Sequence, residues 1–259
     1  DWIIHPVSKE EYSVGFQLVM QHILRGDTFL INYTQPTRVE CKESLSQLYD
    51  KAFAPFKIRI RDHFVCFSPE RFVTINEGII RTFPMKGTID ASLPDAERKV
   101  LNNEKEKAEH ATIVDLLRND LSQVATEVEV TRYRYIDRIR THRGELLQVS
   151  SEIRGKLAED YSYKLGDILF SLLPAGSVSG APKVKTLEII QQAEGYDRGF
   201  YTGICGYFDG RNFDSTVMIR FLEQQEDGFV FKSGGGITFQ SDMEQEYQEL
   251  IQKVYVPLH

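Results

Sequence analysis

Residues 200–237 read FYTGICGYFDGRNFDSTVMIRFLEQQEDGFVFKSGGGI, and the fold turns on them. Three apolar runs, Phe200–Phe208, Phe213–Gln224 and Phe229–Ser233, are separated by Asp209-Gly210 and Asp227-Gly228. Asp-Gly supplies the positive φ that a tight hairpin requires, so the spacing predicts a three-stranded antiparallel meander. The last strand runs into Ser233-Gly234-Gly235-Gly236, whose backbone amides are suited to cradling an anion. Ser241-Asp242-Met243-Glu244 then reads as a capping box opening a final helix.

That helix carries Glu246 and Glu249, three residues apart and therefore on one face. Glu106 and Glu109 repeat the spacing in a long helical stretch, about Glu104 to Leu121, with the apolar stripe Ile113, Leu116 and Leu117. Acid clusters beside an anion pocket repel the ligand unless a hard cation lies between them. The pattern points to a Mg²⁺ site that receives a carboxylate or phosphate substrate. On spacing alone, two solvated acidic helix faces are the plain alternative.

Working outward, Ser8-Lys9-Glu10-Glu11 is a capping box before Val14, Leu18, Val19 and Ile23, a helix ending near Gly26. Thr28 to Thr34 alternates as a strand, and a short helix is expected over about Glu43 to Phe53. Lys57 to Phe67 and Phe72 to Phe83 read as strands interrupted by Ser68-Pro69 and Asn76-Glu77-Gly78. Pro84-Met85-Lys86-Gly87-Thr88 is expected to leave the sheet as a loop. Val128 to Leu157 reads as two strands joined around His142-Arg143-Gly144, followed by a helix near Leu165 to Leu172. Pro182 sits where a first-turn proline belongs, opening a helix to about Ala193. With no repeat or linker, a single α+β domain over residues 1–259 is the simplest organisation.

Bulk composition excludes several classes. The 259 residues suffice for a large buried core, and Lys+Arg 31 against Asp+Glu 38 gives a net charge of −7. No basic block offsets that balance, which argues against nucleic acid as partner. Cys41, Cys66 and Cys205 are odd in number and far apart, fitting neither a disulfide framework nor a zinc motif. A reducing cytoplasmic location is expected, with no membrane span. The chain opens at Asp1, so a preceding segment is expected.

Several motifs occur in a specific order: Pro84-Met85-Lys86-Gly87-Thr88; Ala108-Glu109-His110 running to Asp115-Leu116-Leu117-Arg118-Asn119-Asp120; Pro174 through Lys183; and Gly234-Gly235-Gly236-Ile237 with Glu246-Tyr247-Gln248-Glu249. Together they resemble the chorismate-binding enzymes, among them anthranilate synthase, aminodeoxychorismate synthase, isochorismate synthase and salicylate synthase. The resemblance runs from about Gly26 to the C-terminus. It implies a β-sandwich-like core of antiparallel sheets with helices outside and the substrate between the sheets. It implies Mg²⁺ held directly by Glu109 and Glu249 and supported through water by Glu106 and Glu246. It further implies that Arg220, Tyr201 and the amides of Gly234, Gly235 and Gly236 anchor a substrate carboxylate, with the Ser177 hydroxyl nearby.

Among those relatives, the isochorismate and salicylate branch uses a lysine on the early strand to activate water. Here Gly26-Asp27-Thr28-Phe29-Leu30 places leucine there, and leucine cannot deprotonate water. Lys86 falls where aminodeoxychorismate synthases carry lysine and anthranilate synthases usually alanine. The resemblance therefore implies amination of chorismate by ammonia to 4-amino-4-deoxychorismate, on the folate and 4-aminobenzoate branch. Lys86 would be the nucleophile and Glu70 the general acid, a carboxyl kept protonated by a partly dry pocket. Lys86 must be neutral to attack, and partial burial with a nearby cation would favour that form. Gln148 stands where relatives commonly place a histidine, and glutamine cannot transfer a proton at neutral pH. His110 and His142 are near in sequence but receive no role. Ammonia would come from a glutamine amidotransferase partner. Anthranilate synthase and a non-catalytic chorismate-binding relative are the alternatives.

Overall fold

The computed structural model describes residues 2–141 and 144–257. His142 and Arg143, at the expected turn, lie outside the described residues. The chain forms two compact units interleaved along the sequence. The first comprises residues up to 70, 178–205 and 216 onward; the second comprises 71–177 and 206–215.

The sheet of the first unit contains β1 (Trp2–Pro6), β2 (Leu30–Cys41), β3 (Phe56–Ile60), β4 (Phe64–Ser68), β10 (Gly180–Ala181), β13 (Phe221–Gln225) and β14 (Gly228–Ile237). The strands run in the order β1-β2-β14-β13-β4-β3, with β10 also paired to β2. Helices α1 (Lys9–Arg25), α2 (Leu45–Lys51), α6 (Lys183–Glu194) and α7 (Met243–Gln252) belong to the same unit. Tyr12, Phe16, Val19 and Ile23 of α1 bury against Ile31, Tyr33, Ile189, Ile190 and Leu250. Of the apolar face expected from Val14, Leu18, Val19 and Ile23, only Val19 and Ile23 are in the buried set: Val14 is exposed and Leu18 partly buried, and Tyr12 and Phe16 complete the face instead. Gly26 ends the helix at φ 82°.

The second sheet contains β5 (Arg71–Asn76), β6 (Ile79–Thr82), β7 (Met85–Asp90), β8 (Thr126–Thr141), β9 (Gly144–Lys156), β11 (Ile204–Phe208) and β12 (Phe213–Val217). Its order is β11-β12-β5-β6-β9-β7, with β8 also paired to β9. Helices α3 (Ala96–Asn102), α4 (Glu104–Ser122) and α5 (Leu165–Leu172) accompany it. All the strand pairs resolved in register are antiparallel, as the α+β reading expects.

Four local expectations need correction. Phe213–Gln224 is two strands, not one: β12 joins the second sheet and β13 the first, so residues 200–233 are no simple meander. The break falls at Met218-Ile219-Arg220, where Arg220 adopts φ 54°, a left-handed conformation that ends extended chain. Lys57–Phe67 is likewise a hairpin, turned at Arg61 with φ 46°. Strand β2 continues through Pro36 to Cys41, because burial between β1 and β14 outweighs the missing amide. Pro84 to Thr88 is not a loop: Met85–Asp90 pairs with β9.

A buried ion pair ties the first unit together. Glu194, at the C-terminus of α6, accepts from the Thr34 amide (2.8 Å) and hydroxyl (2.7 Å), and from Arg198 Nη2 (2.5 Å). Arg198 also donates to the Val178 and Asn32 carbonyls, at 2.7 Å each. Removing one charge strands the other. Glu194→Gln is expected to destabilise the protein by about 3 kcal/mol or more, read as a lower urea midpoint; an unchanged midpoint would show that the pair contributes nothing.

Candidate functional site

The candidate residues are divided between the two units. In the second unit, the side chain of Asn103 caps α4 by accepting from the Glu106 amide at 3.1 Å. Glu106 thereby stands in the first turn, and Glu109 follows one turn on, buried at 8% exposure. The Lys86 ammonium lies 2.6 Å from Glu109 Oε2. A bulge aims it there: β7 pairs Met85 with Ser150 and Thr88 with Gln148, leaving one extra residue in the Lys86-Gly87 segment. Gly87 has φ 94°, and a Cβ there would press on Val100 at 3.3 Å, so the bulge needs glycine. The sequence shows Lys86 between proline and glycine, but not the strand pairing that turns it toward α4.

Beneath this pair lies His110, fully buried, with Nε2 2.7 Å from the Ser151 hydroxyl. Burial first, and the Arg134 guanidinium second, lower its pKa to about 4, opposed by the Lys86 carbonyl facing the ring. Gln148, at the position where relatives place histidine, directs its amide toward Thr88 Oγ1 at 3.4 Å. Ser177 lies half-buried in the single 3₁₀ turn Gly176–Val178.

In the first unit, Gly234, Gly235 and Gly236 belong to β14 and pair with Thr34, Tyr33 and Asn32 of β2. The glycines are strand rather than a free loop. Pairing of β14 with β13 stops at Lys232, so alternate glycine amides point to the edge that β13 has left. A Cβ on Gly235 would sit 3.3 Å from both Glu246 Oε2 and Glu249 Oε1, so the two carboxylates converge on this glycine. Glu246 is buried and accepts from the Ser241 hydroxyl at 2.7 Å. Asp242, not Ser241, caps α7, accepting from the Gln245 amide, which leaves Ser241 for this role. Glu249 pairs with Lys253 Nζ at 2.5 Å, and Lys253 also donates to the Gly234 carbonyl at 2.8 Å. Sequence reading passed over Lys253, although Glu249 and Lys253 have an i,i+4 ion-pair spacing.

Arg220 combines φ 54° with a buried Nε that makes no hydrogen bond, an outlier that makes it a candidate for a functional role. Tyr201 is buried in a cluster with Phe64, Cys66, Met218 and Phe221, and burial raises its phenol pKa. Glu70 is half-buried between β4 and β5, its main chain fixed by Val217 N–H (3.2 Å) and Thr216 Oγ1 (2.6 Å) donating to its carbonyl.

No three His, Cys, Asp or Glu side chains among the described residues gather as a self-sufficient metal site. Each unit instead presents oxygen donors from a two-carboxylate pair, with one carboxylate paired to lysine. That donor chemistry fits Mg²⁺, which takes one or two carboxylates and completes its shell with substrate and water.

Comparison with known proteins bears on this arrangement. The family model described as chorismate binding enzyme matches residues 2–259. The chain belongs to that family. An uncharacterized PabA-like protein of Pasteurella multocida is 55% identical over 98% of this chain and 78% of its own length. Aminodeoxychorismate synthase component 1 of Klebsiella aerogenes is 33% identical over 98% of this chain and 58% of its own. The crystal structure of anthranilate synthase component I from Streptococcus pneumoniae superimposes with a TM-score of 0.82 at 28% identity, covering 98% of this chain and 58% of that one. The chain thus spans somewhat over half of those two larger proteins. No helix among the described residues is long and apolar enough to cross a membrane.

Two stability predictions follow from the geometry. The depressed pKa of His110 means the unfolded chain binds more protons below about pH 6.5, so His110 contributes stability above that pH and loses it on acidification toward pH 4. Up to roughly 3 kcal/mol is lost across this window, and His110→Phe is expected to flatten that part of the stability–pH curve. At φ 54°, Arg220→Gly is expected to be about 1 kcal/mol more stable than Arg220→Ala in thermal unfolding; equal stabilities would show that the position carries no strain.

Proposed function

We propose that this member of the chorismate-binding family replaces the C4 hydroxyl of chorismate with an amino group, giving 4-amino-4-deoxychorismate. The observation that carries the reading is Lys86 itself: a half-buried primary amine, set on a bulged strand and held 2.6 Å from Glu109. The 33% identity to an aminodeoxychorismate synthase component is matched by anthranilate synthase components at 33% and 36%, so the choice of product rests on Lys86. Chorismate, ammonia, Mg²⁺ and a glutamine amidotransferase that delivers the ammonia complete the proposal.

The chain's own groups divide the work. Arg220 and the edge-facing amides of Gly234 to Gly236 bind a carboxylate, the guanidinium fork matching its two oxygens. Glu109 and Glu249 would hold the metal directly, with Glu106 and Glu246 in support. When bound, Mg²⁺ supplies the positive charge that lets a dianionic ring sit against acidic side chains. Lys86, as the free amine, forms a C–N bond at C2, the ring double bonds shift, and the C4–O bond breaks. Glu70 gives its proton to the departing oxygen, which leaves as water. Ammonia bonds to C4, the double bonds shift back, and the C2–N bond to Lys86 breaks with return of the amine. One ammonia enters and one water leaves, with no redox change. Splitting the substitution in two is the advantage of a covalent nucleophile.

Tyr201 supports Arg220 from the core rather than through an ionised phenol, given its burial. A second reading, anthranilate formation, draws on the structural likeness to anthranilate synthase component I. Product identification by mass spectrometry, from chorismate, ammonium and Mg²⁺, separates the two; fluorescent anthranilate would replace the present reading. Lys86→Ala is expected to slow amination by about 100-fold or more, and an undiminished rate would remove Lys86 from the chemistry. Glu249→Gln is expected to weaken Mn²⁺ binding, followed by electron paramagnetic resonance, by at least about tenfold.

A further inference from the structure

His110 is buried without exposure, yet nothing in the proposed chemistry uses it. It sits where two irregularities of the second sheet meet. Strand β9 is flanked by bulges on both sides at one level: β7 pairs Met85 with Ser150 and Thr88 with Gln148, while β8 pairs Arg132 with Glu152 and Tyr135 with Ser150. On the β8 side Tyr133 and Arg134 stand opposite Ser151 alone, and Arg134 takes φ 49°. A left-handed arginine is strained, and such strain persists only where surrounding contacts enforce it. Its effect is to turn the Arg134 amide onto the Ser151 hydroxyl, at 2.9 Å. The guanidinium is held in turn by the Leu101 carbonyl at 2.9 Å.

Hydrogen bonds link the three residues in series: Ser151 Oγ accepts from the Arg134 amide and pairs with His110 Nε2, 2.7 Å away. Nδ1 is buried, faces the Lys86 carbonyl, and does not close a hydrogen bond of ordinary geometry. The Ser151 amide meanwhile donates to the Pro84 carbonyl at 2.9 Å, fixing the chain two residues before Lys86. Tyr133 closes the pocket edge-on to the imidazole, ring centres 5.9 Å apart.

We infer that Arg134, Ser151 and His110 form a positioning relay beneath Lys86, in which the strained amide orients the hydroxyl, the hydroxyl fixes the imidazole, and the imidazole packs against the Lys86 carbonyl in the main chain that carries the amine. His110 and Ser151 are positioning residues: they touch Lys86's backbone and its neighbours, not the reacting atoms. The inference rests on Lys86 as the nucleophile of the proposed amination, but its geometry is testable without turnover. A relay of this kind sets how often the amine adopts its reactive placement, so its loss lowers kcat rather than substrate affinity.

The test uses Ser151→Ala, Ser151→Thr and His110→Phe. Amination of chorismate is followed together with the rate at which trinitrobenzenesulfonate modifies Lys86, read by peptide mass spectrometry. Ser151→Ala and His110→Phe are expected to reduce kcat by about tenfold or more with KM for chorismate within about threefold, and Ser151→Thr, which keeps the hydroxyl, to restore most of kcat. Both relay-breaking variants are also expected to change the Lys86 modification rate by at least about threefold, with Ser151→Thr near wild type. Folded variants with kcat and Lys86 modification unchanged would overturn the relay, as would loss of kcat that Ser151→Thr does not restore. If the wild-type protein does not aminate chorismate, the amination reading fails, and the modification rates decide the relay alone.

Discussion

A carboxylate drawn out of water survives only with compensating partners, and the buried acids of both units obey that constraint. Glu109 leans on Lys86 and Glu246 on the Ser241 hydroxyl, while the exposed Glu249 pairs with Lys253, which also holds the Gly234 carbonyl. Each unit therefore places an amine where a hard cation would compete for the same oxygen. The two pairs are built differently. Lys86 rides a bulge in β7 and reaches across to α4, whereas Lys253 follows Glu249 by one turn of the same chain segment. The first arrangement sets an amine on a bulged strand; the second keeps an acid beside the Gly235 edge.

Backbone irregularity is the second recurring theme. Gly87, Arg134 and Arg220 all have positive φ, and all lie at or beside the candidate groups. Regular strands present side chains in fixed alternation, which cannot direct a lysine sideways at a helix or leave an arginine's Nε without a protein acceptor. The departures from regularity are how this fold re-aims those groups. They are held by dense surroundings: β9 is braced by β6, β7 and β8, and the Arg220 segment by the Phe67 amide donating to its carbonyl at 3.1 Å.

Much of this was legible before the fold was known. The capping box at Ser8, the helix from Glu104 with its i,i+3 acids, and the breaks at Asn76-Glu77-Gly78 all stand where local chemistry puts them. Those signals depend on residues a few positions apart. The misreadings share the opposite character. Ser241 was passed over by the helix cap in favour of Asp242 because its hydroxyl is drawn to Glu246, a partner decided by packing. Strand β7 was read as a loop because its pairing partner, β9, lies some sixty residues away. Lys253 has no local signal beyond its i,i+4 spacing from Glu249, and its bond to the Gly234 carbonyl depends on β14 arriving beside it.

By itself the sequence determined most of the helical segments, though not α3, the i,i+3 acids on two of them, that a lysine sits between proline and glycine at 84–87, and that the motif order resembles a chorismate-binding enzyme. Those are consequences of periodicity, capping and residue identity, which act within a turn or two of chain. Only the tertiary structure decided that Phe213–Gln224 divides between two sheets, that Lys86 faces Glu109, and that His110 lies under it against Ser151. These outcomes depend on register between distant strands and on bulges whose strain is repaid by contacts far away in sequence, and no local pattern encodes them.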